Sequence, residues 1–373
     1  MTSPSVSTQY FTAFEPPNPL QLEGGQTLGP ITQAYESYGT LNEAKDNCIL
    51  VCHALTGDAH AAFSSAEDES YIGWWDRFIG PEKAIDTTQH FVLCINVIGG
   101  CKGSTGPASL NPETNKPYGT DFPIITIADM VTAQKALIDH LGISTLKAVI
   151  GGSMGGMIAL SWTAQYPENV RTCIPIAATG QVSPLAVAFD SVGRKAIRTD
   201  ANYTDGHYYD QSTPTAGLSV ARMIGHITYL SEQSMDKKFG RDLQDASGYH
   251  FHFGSEFQIE SYLNYQGEKF VNRFDANSYV YLTKAVSYFD LANSYGSFDN
   301  AFRKSTARFL VIAITSDWLY TPKQSKAIVN SLMRLNKDVS YAEIDSYYGH
   351  DAFLIENDEL NQALTVFIRG DQV

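Results

Sequence analysis

The chain of 373 residues predicts an α/β fold: a mostly parallel sheet covered by helices on both faces, interrupted by an inserted helical lid. Three observations carry this. Buried-type apolar runs alternate with helical periodicities through the first half. Helical patterns alone fill the stretch from 181 to 300. A strong apolar run, Phe309-Leu310-Val311-Ile312-Ala313-Ile314, then resumes the sheet pattern. The expected division is a sheet core of residues 1–180 and 301–373, with the lid at 181–300.

Taken in order, Met1 to about Thr8 reads as a disordered tail. Ile31 to Tyr38 reads as an early strand, Cys48 to Cys52 as a buried one, and Phe91 to Val97 as another. A helix is expected from Thr126, a suitable N-cap, with apolar residues at helical spacing and Gly142 as its stop. The strand from Lys147 to Ile150, a helix to about Tyr166 and a strand around Cys173–Ile176 complete the βαβ run. In the lid, Val220, Met223, Ile224 and Ile227 read as a buried stripe of one helix. Val339 to Ile344 reads as a half-buried strand and Asp351 to Arg369 as the closing helix.

Composition narrows the partners. A formal net charge of −14, with no basic patch, argues against nucleic acid. The first cation is Lys45, so the basic start of a signal peptide is missing, and no apolar run reaches the ~18 residues of a membrane helix. A cytoplasmic, membrane-free protein is expected. The five cysteines are an odd set on or beside strand-like runs, as free buried thiols would be, and neither they nor the nine histidines show metal-ligand spacing.

The chemistry centres on Gly151-Gly152-Ser153-Met154-Gly155-Gly156, between an apolar strand and an apolar helix. This is the pattern of a nucleophile elbow, where glycines permit a sharp turn that pushes a serine hydroxyl toward substrate. A glycine-rich turn is the plainer alternative, and the flanking strand and helix favour catalysis. In this architecture an acid and then a histidine follow the serine. Four of the five later histidines lie in the lid, leaving His350 in the loop Tyr348-Gly349-His350-Asp351; Asp317 ends the preceding strand. Ser153, Asp317 and His350 are therefore the expected nucleophile, acid and base. Taken alone, Asp317 could be a helix cap and His350 an ordinary loop residue. The oxyanion hole should come from the amides of Met154 and of Leu55, in the loop after the Cys48–Cys52 strand. His53 and His60 precede Ser153 and read as supporting residues.

These motifs resemble the homoserine O-acetyltransferases, acyltransferases of methionine biosynthesis with the α/β-hydrolase fold. The matching pieces are Tyr35 to Asn42, Cys52 to His60, Gly99 to Pro107, Gly151 to Gly156, Ala221-Arg222-Met223 and Gly349-His350-Asp351. The resemblance implies ping-pong transfer of an acetyl group from acetyl-CoA, a co-substrate rather than a resident cofactor, to the side-chain hydroxyl of L-homoserine. It also implies a homodimer built through the lid, and an amino-acid site of Arg222, Tyr229 and Asp351. The chemistry is consistent: a zwitterion needs a cation for its carboxylate and an anion for its ammonium. From spacing alone, Arg222 would be an ordinary surface or interface charge. Three alternatives share most motifs: a homoserine O-succinyltransferase, a serine O-acyltransferase and a serine esterase; a non-enzymatic receptor on the same fold belongs to a different class. The Gly99–Pro107 loop lacks the Gly-Lys-[Ser/Thr] ending of a phosphate loop and reads as structural.

Overall fold

A computed structural model describes residues 5–355 and 357–370. Eight strands form the central sheet: β1 (Gln9–Ala13), β2 (Ile31–Tyr38), β3 (Cys48–Cys52), β4 (Phe91–Ile95), β5 (Ala148–Gly152), β6 (Thr172–Ile176), β7 (Arg308–Ile314) and β8 (Val339–Ile344). Their spatial order is β8-β7-β6-β5-β3-β4-β2-β1. The six strands from β8 to β4 pair in parallel, whereas β2 and β1 add antiparallel at one edge.

The middle strands are apolar on both faces because both faces are covered. In β3, Cys48, Leu50 and Cys52 join the core on one side of the sheet, while Ile49 and Val51 join the core on the other. Cys48, Cys52, Cys94 and Cys173 are free and buried, and burial raises their thiol pKa values, so these side chains pack as small hydrophobes. Helices α1 (Ile127–His140) and α2 (Met154–Gln165) pack together, with α2 against β3, β5 and β6. Thr126 caps α1 in a capping box with Asp129, and Gly142 follows the helix at φ +72°.

Between β6 and β7 lie seven helices among the described residues: α3 (Pro184–Arg198), α4 (Thr215–Tyr229), α5 (Glu232–Lys238), α6 (Gln258–Val271), α7 (Ala276–Ser287), α8 (Leu291–Tyr295) and α9 (Phe298–Phe302). Helices α10 (Pro322–Arg334) and α11 (Asp358–Arg369) complete the chain. No helix among the described residues is long and apolar enough to cross a membrane.

Three sequence expectations need correction. Of the disordered tail expected from Met1 to about Thr8, residues 1–4 lie outside the described residues, but Ser5–Val6 pairs in parallel with Ser64–Ser65. On α4, Val220 and Ile227 are 45% and 38% exposed, while Gly217, Leu218, Ala221 and Gly225 are buried. The helix sits between α3 and α6 and turns its small residues toward them, because small side chains allow close helix approach. The closing helix is split: a 3-10 turn at Gly349–Leu354 ends before Asn357, whose side chain caps α11.

Candidate active site

Ser153 sits between β5 and α2 at φ +59° and ψ −125°, a backbone conformation that costs on the order of 1–3 kcal/mol. Three bonds fix it there. Its amide donates to Ile176 O at 2.9 Å, and its carbonyl accepts from the Gly156 and Met157 amides at 2.9 and 3.1 Å. Gly155 is required by proximity: a Cβ there would lie 2.1 Å from the carbonyl oxygen of Cys52.

Asp317 and His350 lie in the loops after β7 and β8. His350 Nδ1 is 2.7 Å from Asp317 Oδ2, and each residue is 2% exposed. The other carboxylate oxygen, Oδ1, accepts from the Leu319 and Tyr320 amides, both at 2.9 Å. Burial pushes the His350 pKa down, but the adjacent carboxylate of Asp317 outweighs it and the net shift is upward. Gly349, at φ +78°, donates its amide to Ser316 Oγ at 2.9 Å, and the lid's Tyr229–Ser231 backbone presses against it.

Ser153 opens on a narrow cavity of about 40 Å³, whose walls include Leu55, Met154, Tyr229, Asp190, Tyr279 and Tyr320. Among the described residues, neither the Leu55 nor the Met154 amide donates a hydrogen bond. For Met154 this follows from its place in the first turn of α2. Leu55 is positioned by His53, whose Nε2 accepts from the Val97 amide at 3.1 Å and whose Nδ1 donates to Ala54 O at 2.8 Å. That bonding requires the neutral ring, and burial accordingly lowers the His53 pKa. His60 instead pairs with the buried Glu36 at 2.9 Å and bonds Tyr71 O at 3.0 Å.

Neither Arg222 nor Asp351 is among the lining residues of the Ser153 cavity, but both act electrostatically on Tyr229, which is. Arg222 lies over the Tyr229 ring at 5.7 Å and the Phe270 ring at 4.8 Å, with Nη1 3.4 Å from Thr56 Oγ1. Tyr229 in turn lies 6.0 Å, ring to ring, from His350. Burial raises the Asp351 pKa, and His350 and Arg222 oppose that rise. Burial also pushes Tyr229 up to about 12. The structure thus gathers Ser153, Leu55, Met154 and Tyr229 around one cavity, pairs Asp317 with His350, and sets Arg222 against Tyr229.

Several residues of the cavity escaped the sequence reading, among them Tyr279, Tyr320 and the carboxylate of Asp190. Asp190 accepts from Ser287 Oγ at 3.3 Å, and burial pushes its carboxyl up to about 7. The available signal was its spacing on α3: Ala186, Asp190 and Gly193 fall on one helical face, and a carboxylate there stands among core positions.

The family model for the alpha/beta hydrolase fold matches residues 47–356. A homoserine O-acetyltransferase of Methanohalobium evestigatum is 56% identical over 364 residues, 98% of this chain and 73% of that protein. The crystal structure of homoserine O-acetyltransferase from Bacillus anthracis is 32% identical, covers 98% of both chains and superposes with a TM-score of 0.91. A solved esterase is 31% identical, with 97% of this chain and 100% of that one covered and a TM-score of 0.88. With this fold, this elbow and near full-length identity above one half, the chain belongs to the homoserine O-acetyltransferase family, acyltransferases of methionine biosynthesis on the α/β-hydrolase fold.

Proposed function

We propose that the protein transfers an acetyl group from acetyl-CoA to the side-chain hydroxyl of L-homoserine through an acetyl-Ser153 intermediate. The observation that carries this reading is the buried His350–Asp317 pair: the His350 ring lies 6.0 Å from the Tyr229 ring and 5.2 Å from the Tyr320 ring, and both tyrosines line the cavity on which Ser153 opens. Asp317 holds the proton of His350 on Nδ1, which leaves Nε2 as the basic nitrogen.

In the first half-reaction His350 takes the proton of Ser153, and the oxygen attacks the thioester carbonyl. The oxyanion is received by the Leu55 and Met154 amides, whose lack of internal acceptors supports this role. Collapse breaks the carbon–sulfur bond, and the sulfur leaves as the CoA thiol with the proton from His350. In the second half-reaction Arg222 holds the homoserine carboxylate and Asp351 its ammonium. Their joint electrostatic influence near Tyr229 and His350 supports that placement. His350 then deprotonates the acceptor hydroxyl, which attacks acetyl-Ser153; collapse breaks the bond between the acetyl carbon and Ser153 Oγ, Ser153 takes the proton back from His350, and O-acetyl-L-homoserine departs. Water competes with the acceptor at this step. The narrow cavity and the oriented zwitterion favour transfer.

A cytoplasmic homodimer joined through the lid completes the reading. The exposed Val220 and Ile227 on α4 support such a face, and light scattering of the purified protein tests it. A second reading, a serine esterase, is favoured by the solved esterase at 31% identity. A thiol-release assay pairing acetyl-CoA and succinyl-CoA with homoserine, serine and water separates the readings. Fastest release with acetyl-CoA and homoserine is expected; serine outperforming homoserine, or water matching it, would overturn the assignment.

A further inference from the structure

A second cavity, of about 490 Å³, has Arg194, Lys195 and Arg198 of α3 and Lys284 of α7 among its lining residues. No Asp or Glu is among its lining residues, although the chain carries a net charge of −14. Among the described residues, Lys195, Arg198 and Lys284 have no ion-pair partner. The Lys284 ammonium rests over the Tyr288 ring at 4.5 Å, and Arg194 Nη1 donates to Ser287 Oγ at 3.1 Å.

Cations in the last turn of a helix offset its dipole, and Lys195, Arg198 and Lys284 occupy such turns. The dipole explains each helix end separately. It does not explain why two helices direct their cations into one cavity with no carboxylate in its lining, where Asp190, one turn from Arg194, offsets only part of their mutual repulsion. An anion with several charges would compensate it.

We propose that this cleft binds the phosphates of the acyl-CoA donor. The inference rests on the acetyl-CoA reading above and locates the part of the donor farthest from the reacting carbonyl. The same two helices contribute to both cavities, though no residue lines both: Asp190 of α3 and Tyr279 of α7 line the catalytic one, and Arg194 and Lys284 line the cleft. Asp190 and Arg194 are one helical turn apart, about 5–6 Å along α3. Ser287 links them, 3.3 Å from Asp190 Oδ2 and 3.1 Å from Arg194 Nη1. With its phosphates in the cleft, the arm of a CoA thioester would run along α3 and α7 toward a carbonyl at Ser153. Arginine forks suit phosphate oxygens bidentately, and the lysines add mobile point charges.

The test compares kcat/KM for acetyl-CoA with that for S-acetylpantetheine, which lacks the nucleotide phosphates, in wild type and in a Lys195→Gln/Arg198→Gln variant. The ratio should fall about tenfold in the variant, mainly through KM for acetyl-CoA, and should fall in wild type as salt is raised. Adenosine 3′,5′-bisphosphate should inhibit wild type competitively against acetyl-CoA. If the double variant does not fold, Lys284→Gln supplies the same ratio. An unchanged ratio in a folded variant, or inhibition not competitive with acetyl-CoA, overturns the cleft assignment alone. Failure of wild type to release CoA from acetyl-CoA with homoserine overturns the donor reading beneath it.

Discussion

Asp317 divides its carboxylate between two tasks: Oδ1 accepts two backbone amides of its own loop, and Oδ2 faces His350 Nδ1 at 2.7 Å. The acid is thereby anchored to the backbone after β7 while it orients an imidazole from the loop after β8. Asp317→Asn keeps the size of the side chain but removes the charge and presents an amide that favours the wrong tautomer. Steady-state kinetics should show kcat lower by roughly 10³–10⁴-fold.

The pH profile follows from the same pair. The base works unprotonated, and its pKa is raised by Asp317. Activity in kcat/KM should therefore be lost as pH falls through a midpoint above the ordinary histidine value. Asp317→Asn should move that acidic limb to lower pH; a limb unmoved by the substitution would assign it to another group.

Arg222→Ala should raise KM for homoserine about 10- to 100-fold and lower the ratio of transfer to hydrolysis. Arg222→Lys should restore little, since an ammonium lacks the fork and the flat stacking face now set against Phe270. Product analysis by chromatography reads both, and an unchanged ratio in Arg222→Ala would remove this residue from the acceptor site.

Gly155→Ala places a methyl group 2.1 Å from a backbone oxygen of β3 that cannot swing away. A loss of about 2 kcal/mol or more is expected, seen as a lower denaturation midpoint in urea.

Asp190 makes a prediction about stability. Its folded pKa, about 7, lies above the ordinary 3.8, so the folded state binds the proton more tightly than the unfolded chain. Stability should fall as pH rises from about 4 through 7. In Asp190→Asn that fall should be smaller by about 1 kcal/mol or more, measured by denaturation at pH 5 and pH 8.

The strands, the turn at Ser153 and the pairing of Asp317 with His350 were legible because apolar runs mark strands and because polar groups gather at strand ends in a fixed order. Other features were hidden for physical reasons. β1 is an edge strand with Gln9, Tyr10 and Thr12 exposed and no residue fully buried, so Gln9–Ala13 shows no buried-strand pattern. On α4 the large apolar residues suggested the buried face, but helix–helix contact selected Gly217, Ala221 and Gly225 instead. Asp190 and the cations of the second cleft depend on how α3 meets α7, a tertiary fact that no single-helix periodicity encodes.

The central claim is that Ser153 carries the acetyl group between two substrates. Intact-mass spectrometry of the enzyme mixed briefly with acetyl-CoA, then with homoserine or with buffer, tests it most directly. The account predicts one added acetyl group on Ser153, absent in Ser153→Ala, and discharged faster by homoserine than by buffer. No acetylated enzyme, or discharge at the same rate in buffer alone, would contradict it.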